Sequence, residues 1–303
     1  MAFTRPWILP LLPVIVAIIV FIHKRSTGRK ARLASALQGK VGPSAWKLLS
    51  AAMAASMLII ALSQPVVSYR EKIPVNSIED MIKYNEKLPA QYIILVDVSP
   101  SMHTGNPPRL DTALKVVRMI VDDIKDNGTI MLSVFGGRVE QLYVGAPSNI
   151  SRILYMIRNY DIKYTAIGDA IGYAVSCAHA SRLPSIAVII TDGANNYGPD
   201  PVQTYIYANK THLPILFIRI DSDPRANQLF AELARHDAYI VSASSFNLKS
   251  LEPVIEHAIQ RMKYTALVET GKNYIVVNRI TNLPTMILGA VAVVAIILSR
   301  MTW

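Results

Sequence analysis

Cysteine is nearly missing from this 303-residue sequence, which contains only Cys177, so no disulfide bond can form within the chain. The sequence also lacks the Gly-x-Ser-x-Gly motif of serine hydrolases, a phosphate-binding loop and the ligand spacings of zinc sites. Internal repeats and low-complexity tracts are missing as well. A domain of this kind depends for its stability on its hydrophobic core and on any metal that it binds.

Acidic side chains are missing between residues 23 and 47, where Lys and Arg account for most of the net charge of +10. Charged residues of either sign are missing from residues 7–22, 48–67 and about 280–298. A membrane-spanning helix needs about 20 apolar residues, a length that the second and third stretches reach and of which the first falls slightly short, and we predict three transmembrane helices. A signal peptide or buried core helices are the alternatives, but no small-residue cleavage site follows residue 22 and the stretches have no polar face.

The basic loop between the first two predicted spans indicates how the chain is oriented. Short cytoplasmic loops are enriched in Lys and Arg, so the loop 23–47 is predicted to be cytoplasmic and the central region extracytoplasmic. We therefore expect a multi-pass protein of the plasma membrane. Nucleic-acid binding is the rival interpretation of a basic segment, but a short loop between two spans favours the membrane, and we expect no nucleic-acid partner.

Apolar strands alternate with amphipathic helices through the central part of the sequence. Residues 92–96 form an unbroken apolar run, which is typical of a strand that is buried on both faces of a parallel sheet. The alternation predicts an α/β fold with a doubly wound, mostly parallel sheet flanked by helices, in addition to the three transmembrane helices. The strands are predicted at residues 91–97, 129–135, 139–144, 185–190, 213–220 and 238–241, and the closing helix at 248–263.

Oxygen-bearing side chains stand at the ends of two of these strands. Asp97, Ser99 and Ser101 follow the first strand, Asp192 follows the fourth, and Thr165 precedes a helix that packs on the same sheet. Ligands of open α/β sheets bind outside the carboxyl ends of the strands, so these side chains are predicted to converge. They suit Mg²⁺, or else Mn²⁺ or Ca²⁺, and would leave a coordination position open to a carboxylate of another protein. Each residue taken alone is more typical of a helix cap or a turn.

This constellation resembles the metal-ion-dependent adhesion site of the von Willebrand factor A (VWA) domain family, and the resemblance extends over about residues 88–262. Asp97 opens the family's Asp-x-Ser-x-Ser motif, and Pro100 stands within that motif where relatives commonly carry Gly. The proline stiffens the loop but removes no ligand. The resemblance implies that the metal ligands are Asp97, Ser99, Ser101, Thr165 and Asp192.

The order of segments is similar to one membrane-anchored branch of the family, the aerotolerance (Bat) type. The matching features are two amino-terminal spans, the segment 61–65, the segments 165–170 and 191–198, and one carboxyl-terminal span. This resemblance implies a role in complex assembly or stress tolerance alongside a MoxR-type AAA+ ATPase. Such an ATPase is cytoplasmic, so it would have to act through the loop 23–47 or the carboxyl end.

We therefore expect a membrane protein that binds a protein partner through a divalent cation and that is not an enzyme. The expected partners are a protein that offers a carboxylate, a MoxR-type ATPase and other membrane proteins. The alternatives are a metal-dependent hydrolase that uses the same oxygens and a purely structural membrane scaffold. A hydrolase needs a general base, and the candidates are His103 and Asp169. Asp169 is predicted either to act in the second shell of the metal or only to favour a helix N-terminus.

The predicted organisation comprises two transmembrane helices with a basic cytoplasmic loop (1–67), a connector (68–87), a VWA domain (88–263), a second connector (264–279) and a carboxyl-terminal transmembrane helix (280–303). The two connectors are predicted to lie near each other, because both ends of the domain must return to one membrane face.

Overall fold

A computed structural model describes most of the central part of the chain and portions of its two ends. The described residues are 55–281 without 125–127, 194, 222–225 and 245–246, together with residues 2–3, 5, 8–14, 17–18, 21, 24–25, 284–287, 289–291 and 293. The chain divides into two compact units, one built from residues 1–72 and 276–303 and the other from Ile73–Ile275.

Strands and helices alternate through the larger unit, which confirms the predicted α/β class. The strands of the chain are β1 (Ala2–Phe3), β2 (Pro65–Pro74), β3 (Ala90–Asp97), β4 (Gly128–Phe135), β5 (Val139–Gly145), β6 (Ser185–Thr191), β7 (Ile215–Ile220), β8 (Tyr239–Ala243) and β9 (Tyr274–Thr281). The helices of the larger unit are α1 (Ile78–Lys83), α2 (Arg109–Ile124), α3 (Ser151–Ile157), α4 (Ile167–Ala180), α5 (Pro201–Lys210), α6 (Ala226–Arg235) and α7 (Leu248–Glu269).

The sheet of the larger unit has the order β5-β4-β3-β6-β7-β8. All neighbouring pairs in it are parallel except β4 and β5, which are antiparallel. The chain adds β4 and β5 on one side of β3 and then places β6 on the other side. The strand order therefore reverses between β3 and β6, and the carboxyl ends of these two strands border the crevice where open α/β sheets bind ligands.

β3 is buried along its whole length, as the unbroken apolar run predicts. Its side chains alternate between two hydrophobic clusters because successive residues of a strand point to opposite faces. Ile94 and Val96 belong to a cluster with α2 and α7. Ile93 and Leu95 belong to a second cluster with α4, α5 and α6. Helices on both faces thus hold the central strands, and with them the carboxyl edge of the sheet, in fixed positions.

The closing helix α7 differs from its predicted extent. It was expected to end at Lys263, but it continues to Glu269 because Ala266 and Leu267 remain buried on the helix face that contacts the rest of the unit. Before α3 the chain forms the short turn Pro147–Asn149. The compact unit spans Ile73–Ile275, and the domain predicted at 88–263 lies within it.

A small sheet of the order β1-β2-β9 brings the two predicted connectors together. An ion pair between Arg279 Nε and Glu71 Oε2, at 2.8 Å, links β9 to β2. The expectation that the connectors lie near each other is thus confirmed, and each contributes a strand.

Among the residues that the structure describes, no helix is both long and apolar enough to cross a membrane. Much of the three predicted spans lies outside the described residues. Two of the predicted limits are wrong, because residues 65–67 belong to β2 and residues 280–281 belong to β9. The helix at 55–62 ends before residue 67 because Gln64 adopts a left-handed conformation, with φ 52°, and Pro65 follows it.

Lys263 of α7 is buried near the amino end of β3, with 3% of its surface exposed. Its Nζ donates a hydrogen bond to Asn85 Oδ1 at 2.5 Å. Burial lowers the pKa of Lys263 to about 8, and the nearby Asp123 carboxylate opposes that decrease. This end of the sheet therefore contains a buried cation whose surroundings include a carboxylate.

Candidate metal centre

Asp97 is the last residue of β3, and its side chain is fully buried. One carboxylate oxygen, Oδ1, accepts a hydrogen bond from the Ser99 backbone N–H at 2.9 Å. The other, Oδ2, accepts a hydrogen bond from the Thr191 hydroxyl at 2.5 Å. The carboxylate is therefore fixed in orientation both by its own loop and by the end of the neighbouring strand β6.

The loop after β3 places the two predicted serine ligands side by side. Ser99 Oγ and Ser101 Oγ are 3.1 Å apart, and Ser99 is 1% exposed. The loop continues as a 3₁₀ turn, Pro100–His103, in which Pro100 occupies the first turn, where a missing N–H is tolerated. Met102 is fully buried and anchors this turn.

The end of β6 lies next to the end of β3, and it carries the second carboxylate. Asp192 follows β6 directly and is 2% exposed. Gly193, with φ 104°, accommodates the turn that follows, and a Cβ atom there would lie 2.4 Å from the Phe230 ring. The Gly193 N–H donates to Thr191 Oγ1 at 3.1 Å, while the Thr191 hydroxyl donates to Asp97. A short hydrogen-bonded chain thus connects the two strand ends.

Thr165 lies in a loop that is bonded to both sides of this crevice. Its N–H donates to Asn196 Oδ1 at 2.8 Å, and its carbonyl accepts hydrogen bonds from the N–H groups of Asn196 and Tyr197 at 3.0 and 3.2 Å. The same loop reaches the β3 side through a hydrogen bond from Ile162 N–H to the Val98 carbonyl at 3.2 Å. The Thr165 side chain is 3% exposed. The five predicted ligands therefore come from three adjoining segments at one edge of the sheet.

Like charges meet at this edge. Burial raises the pKa of Asp97 to about 7, and the Asp192 carboxylate adds to the increase, whereas hydrogen bonds from Thr191 and Ser99 oppose it. A carboxyl group held this way is stabilised either by a proton or by a nearby cation. Arg109, at the start of α2, supplies one positive charge, since its Nη1 lies 2.8 Å from Asp192 Oδ2.

The residues present fit a hard divalent cation. Two carboxylates and the neighbouring hydroxyls form an all-oxygen donor set of the kind that Mg²⁺ and Ca²⁺ prefer. Among the described residues, no three side chains of His, Cys, Asp or Glu form a metal-binding group, so a cation here would depend on the hydroxyls as well. The assignment of Asp97, Ser99, Ser101, Thr165 and Asp192 as metal ligands stays a prediction.

The other candidates occupy clear positions at the edge of the site. Asp169 is half-buried in the first turn of α4, and a Cβ atom at Gly198 would lie 2.7 Å from its Oδ2, so it packs against the loop that follows Asp192. His103 Nε2 forms a hydrogen bond of 2.8 Å with the Tyr160 carbonyl and so connects two loops. A second-shell role for Asp169 stays a prediction as well.

Several residues that build the site escaped the sequence analysis. Neither Arg109 nor Thr191 was predicted to be a residue of the site. Asn195 and Asn196 anchor the loop of Thr165, since Asn195 Oδ1 accepts the Ile167 N–H at 2.8 Å and Asn196 Oδ1 accepts the Thr165 N–H. The paired asparagines after Asp192 were the one available signal, because Asn side chains readily accept hydrogen bonds from nearby backbone.

An open, doubly wound sheet with carboxylates and hydroxyls at its switch point defines a class of α/β domains suited to binding a cation at the strand ends. Residues 92–195 match the family model of the von Willebrand factor type A domain. This central segment is thus similar to the VWA domain family, and VWA domains are typically non-enzymatic binding modules.

Solved structures provide further comparisons. The conserved hypothetical protein BatB from Bacteroides thetaiotaomicron is 22% identical with a TM-score of 0.47, and the match covers 57% of this chain and 98% of that one. An aerotolerance-related membrane protein from Bacteroides fragilis is 20% identical with a TM-score of 0.47, covering 57% of this chain and 100% of that one. Proximal thread matrix protein 1 from the mussel byssus, described with a zinc-occupied MIDAS motif, is 16% identical with a TM-score of 0.46. The match covers 76% of this chain and 54% of that one. No curated protein matches the sequence.

Proposed function

We propose that this protein is a membrane-anchored module of the Bat type that binds a protein partner in a manner dependent on a divalent cation. The observation that carries the proposal is the pair of buried carboxylates, Asp97 and Asp192, on neighbouring strand ends. Both lie at the same edge of the sheet, and burial, together with the nearby Asp192 carboxylate, raises the pKa of Asp97, so a cation close to Asp97 would stabilise its ionised form. Mg²⁺ is the proposed cation, with Mn²⁺ or Ca²⁺ as substitutes.

The side chains of the site have separate tasks in this proposal. Asp97 and Asp192 supply negative charge, and the three hydroxyl residues supply neutral oxygens. When bound, a divalent cation supplies a positive charge with a coordination position open to a carboxylate of the partner. The proposed ligands are Asp97, Ser99, Ser101, Thr165 and Asp192.

The membrane anchor and the cellular partners belong to the same proposal. The apolar stretches within residues 7–22, 48–64 and 282–298 support three spans, and the basic loop 23–47 supports an extracytoplasmic VWA domain. We propose a role in complex assembly or stress tolerance with a MoxR-type AAA+ ATPase, which would reach the protein through the loop 23–47 or the carboxyl end. Protease protection in intact cells compared with inverted vesicles tests the orientation, since cleavage of the domain only in inverted vesicles would reject it.

Thermal unfolding of the full chain with Mg²⁺ or with EDTA tests the metal assignment. Binding to the folded state alone stabilises it by about 3 kcal/mol when free Mg²⁺ is 100 times the dissociation constant. We expect this stabilisation in the wild type and its loss in Asp97→Ala, because a cation would retain only one of its two carboxylates. Asp161→Ala is the matched control, since Asp161 is exposed and lies in a loop at the same end of the domain.

The control variant should respond to Mg²⁺ as the wild type does. A stabilisation by Mg²⁺ that is equal in the wild type and in Asp97→Ala would reject the assignment of the site. A response that is missing from the wild type would reject cation-dependent binding altogether.

A further inference from the structure

Arg109 is positioned at the candidate metal centre by the loop that precedes α2. Its backbone N–H donates to the Thr104 carbonyl at 3.1 Å, which closes the loop between the serine motif and the helix. Its side chain extends to Asp192, where Nη1 contacts Oδ2 at 2.8 Å. The arginine side chain is 24% exposed and the Asp192 side chain 3%, so the ion pair is partly shielded from water.

The charges of the site can be counted from these contacts. Asp97 and Asp192 contribute two negative charges, and Arg109 contributes one positive charge. With a divalent cation the sum is one positive charge, whereas without Arg109 it would be zero. One carboxylate from outside brings the complete site to neutrality.

We propose that Arg109 is a specificity-determining residue: it keeps the cation-loaded site positive and thereby restricts the partner group to an anion, a carboxylate. This inference rests on the proposed function, because it concerns the same cation and the same partner group. It differs from that proposal in assigning the selection of charge to a residue outside the ligand set.

A guanidinium beside a divalent cation has a cost that makes the proposal testable. Like charges a few ångströms apart repel, and the repulsion is stronger where water is partly excluded. Arg109 should therefore weaken cation binding while strengthening the capture of a carboxylate. If Arg109 only oriented Asp192, its removal would misplace a metal ligand. Cation binding would then become weaker instead of tighter.

The first measurement is the dissociation constant of Mn²⁺ from the full chain. Binding is monitored through the electron paramagnetic resonance signal of Mn²⁺. We expect Arg109→Gln to bind Mn²⁺ about tenfold more tightly than the wild type, because the repulsion is removed. Arg109→Lys keeps the charge and should bind within about threefold of the wild type. Arg118→Gln is the matched control, since it removes an exposed arginine from the same helix and should change nothing. Weaker or unchanged Mn²⁺ binding by Arg109→Gln would overturn the proposal.

The second measurement uses acetate as the carboxylate probe. Acetate should tighten Mn²⁺ binding to the wild type relative to chloride at equal ionic strength, and this gain should be lost in Arg109→Gln. An equal acetate effect in both proteins would also overturn the proposal. Failure of the proposed function is recognised separately, because Mn²⁺ binding would then be missing from the wild type or insensitive to Asp97→Ala.

Discussion

The two ends of the central sheet each bury a charged side chain, but they surround it differently. At the amino end, Lys263 donates to Asn85 and has the Asp123 carboxylate nearby. At the carboxyl end, Asp97 has a second carboxylate, Asp192, as its charged neighbour. The first arrangement brings opposite charges together and is complete within the chain. The second brings two carboxylates together, of which Asp192 alone is paired with an arginine, Arg109, and under the proposed function a divalent cation balances the remaining charge.

The comparison also shows why burial alone does not identify a binding site. Both side chains are desolvated, and burial favours the neutral form of each, since it raises the pKa of Asp97 and lowers the pKa of Lys263. What distinguishes Asp97 is the sign of its neighbour and the hydroxyls around it. Each prediction below therefore changes one end of the sheet and leaves the other as an internal reference.

The largest effect is expected from Asp97 in the metal-free full chain. Burial raises its pKa from 3.8 to about 7, so the folded state holds this proton more tightly than the unfolded state. Its stabilising contribution is complete below pH 3.8 and is lost as the pH rises through 7, by on the order of 4 kcal/mol. Asp97→Asn should remove this part of the pH dependence of the free energy of unfolding, measured with urea in EDTA. An unchanged profile in the variant would show that Asp97 is not the group responsible.

A smaller effect of opposite sign is expected from Lys263. Its pKa is lowered from 10.5 to about 8, so between these values the unfolded state holds the proton that the folded state has released. The free energy of unfolding should therefore increase as the pH rises from 8 to 10.5, by on the order of 3 kcal/mol. Lys263→Met should abolish this increase in urea unfolding, whereas Lys249→Met, which changes an exposed lysine of the same helix, should retain it. Persistence of the increase in Lys263→Met would contradict this account of the amino end.

The smallest effect is expected from Asn196, which holds Thr165 through its backbone. Asn196→Ala removes the acceptor of the Thr165 N–H and should destabilise the fold by about 1 kcal/mol. Because supporting contacts position metal ligands, we also expect Mg²⁺ affinity, measured by calorimetric titration, to fall about tenfold. Asn195→Ala is the matched variant, since it removes the acceptor of the Ile167 N–H instead. A similar loss of Mg²⁺ affinity in both variants would mean that Thr165 needs no anchor of its own.

Much of the fold could be predicted because its signals are local. The unbroken apolar run of β3 identified a strand with two covered faces. The end of α7 was missed because its last two turns are held by burial against the domain, and burial is not visible in a short window of sequence. The same holds for the limit of β2, which depends on the left-handed conformation of Gln64.

The residues of the candidate site also divide into those with a local sequence signal and those placed only by the fold. Asp97, Ser99 and Ser101 were found because they lie within five residues of one another, and Asp192 was found because it follows an apolar run. Arg109 was not found, since its contact with Asp192 joins residues 83 positions apart and depends on the reversal of strand order. Sequence patterns locate the donors of such a site, whereas the charges that modulate it are set by topology.

The reversal of strand order has one consequence for how the protein is made. Asp97 belongs to the half of the sheet formed by β3, β4 and β5, whereas Asp192 follows the first strand of the half formed by β6, β7 and β8. During synthesis the first half leaves the ribosome before the second, so a nascent chain that stops at residue 180 has the serines and Thr165 but only one of the two acids. Under the proposed assignment, a chain acquires its cation only after translation has passed the middle of the domain, and an incomplete product cannot compete for the partner.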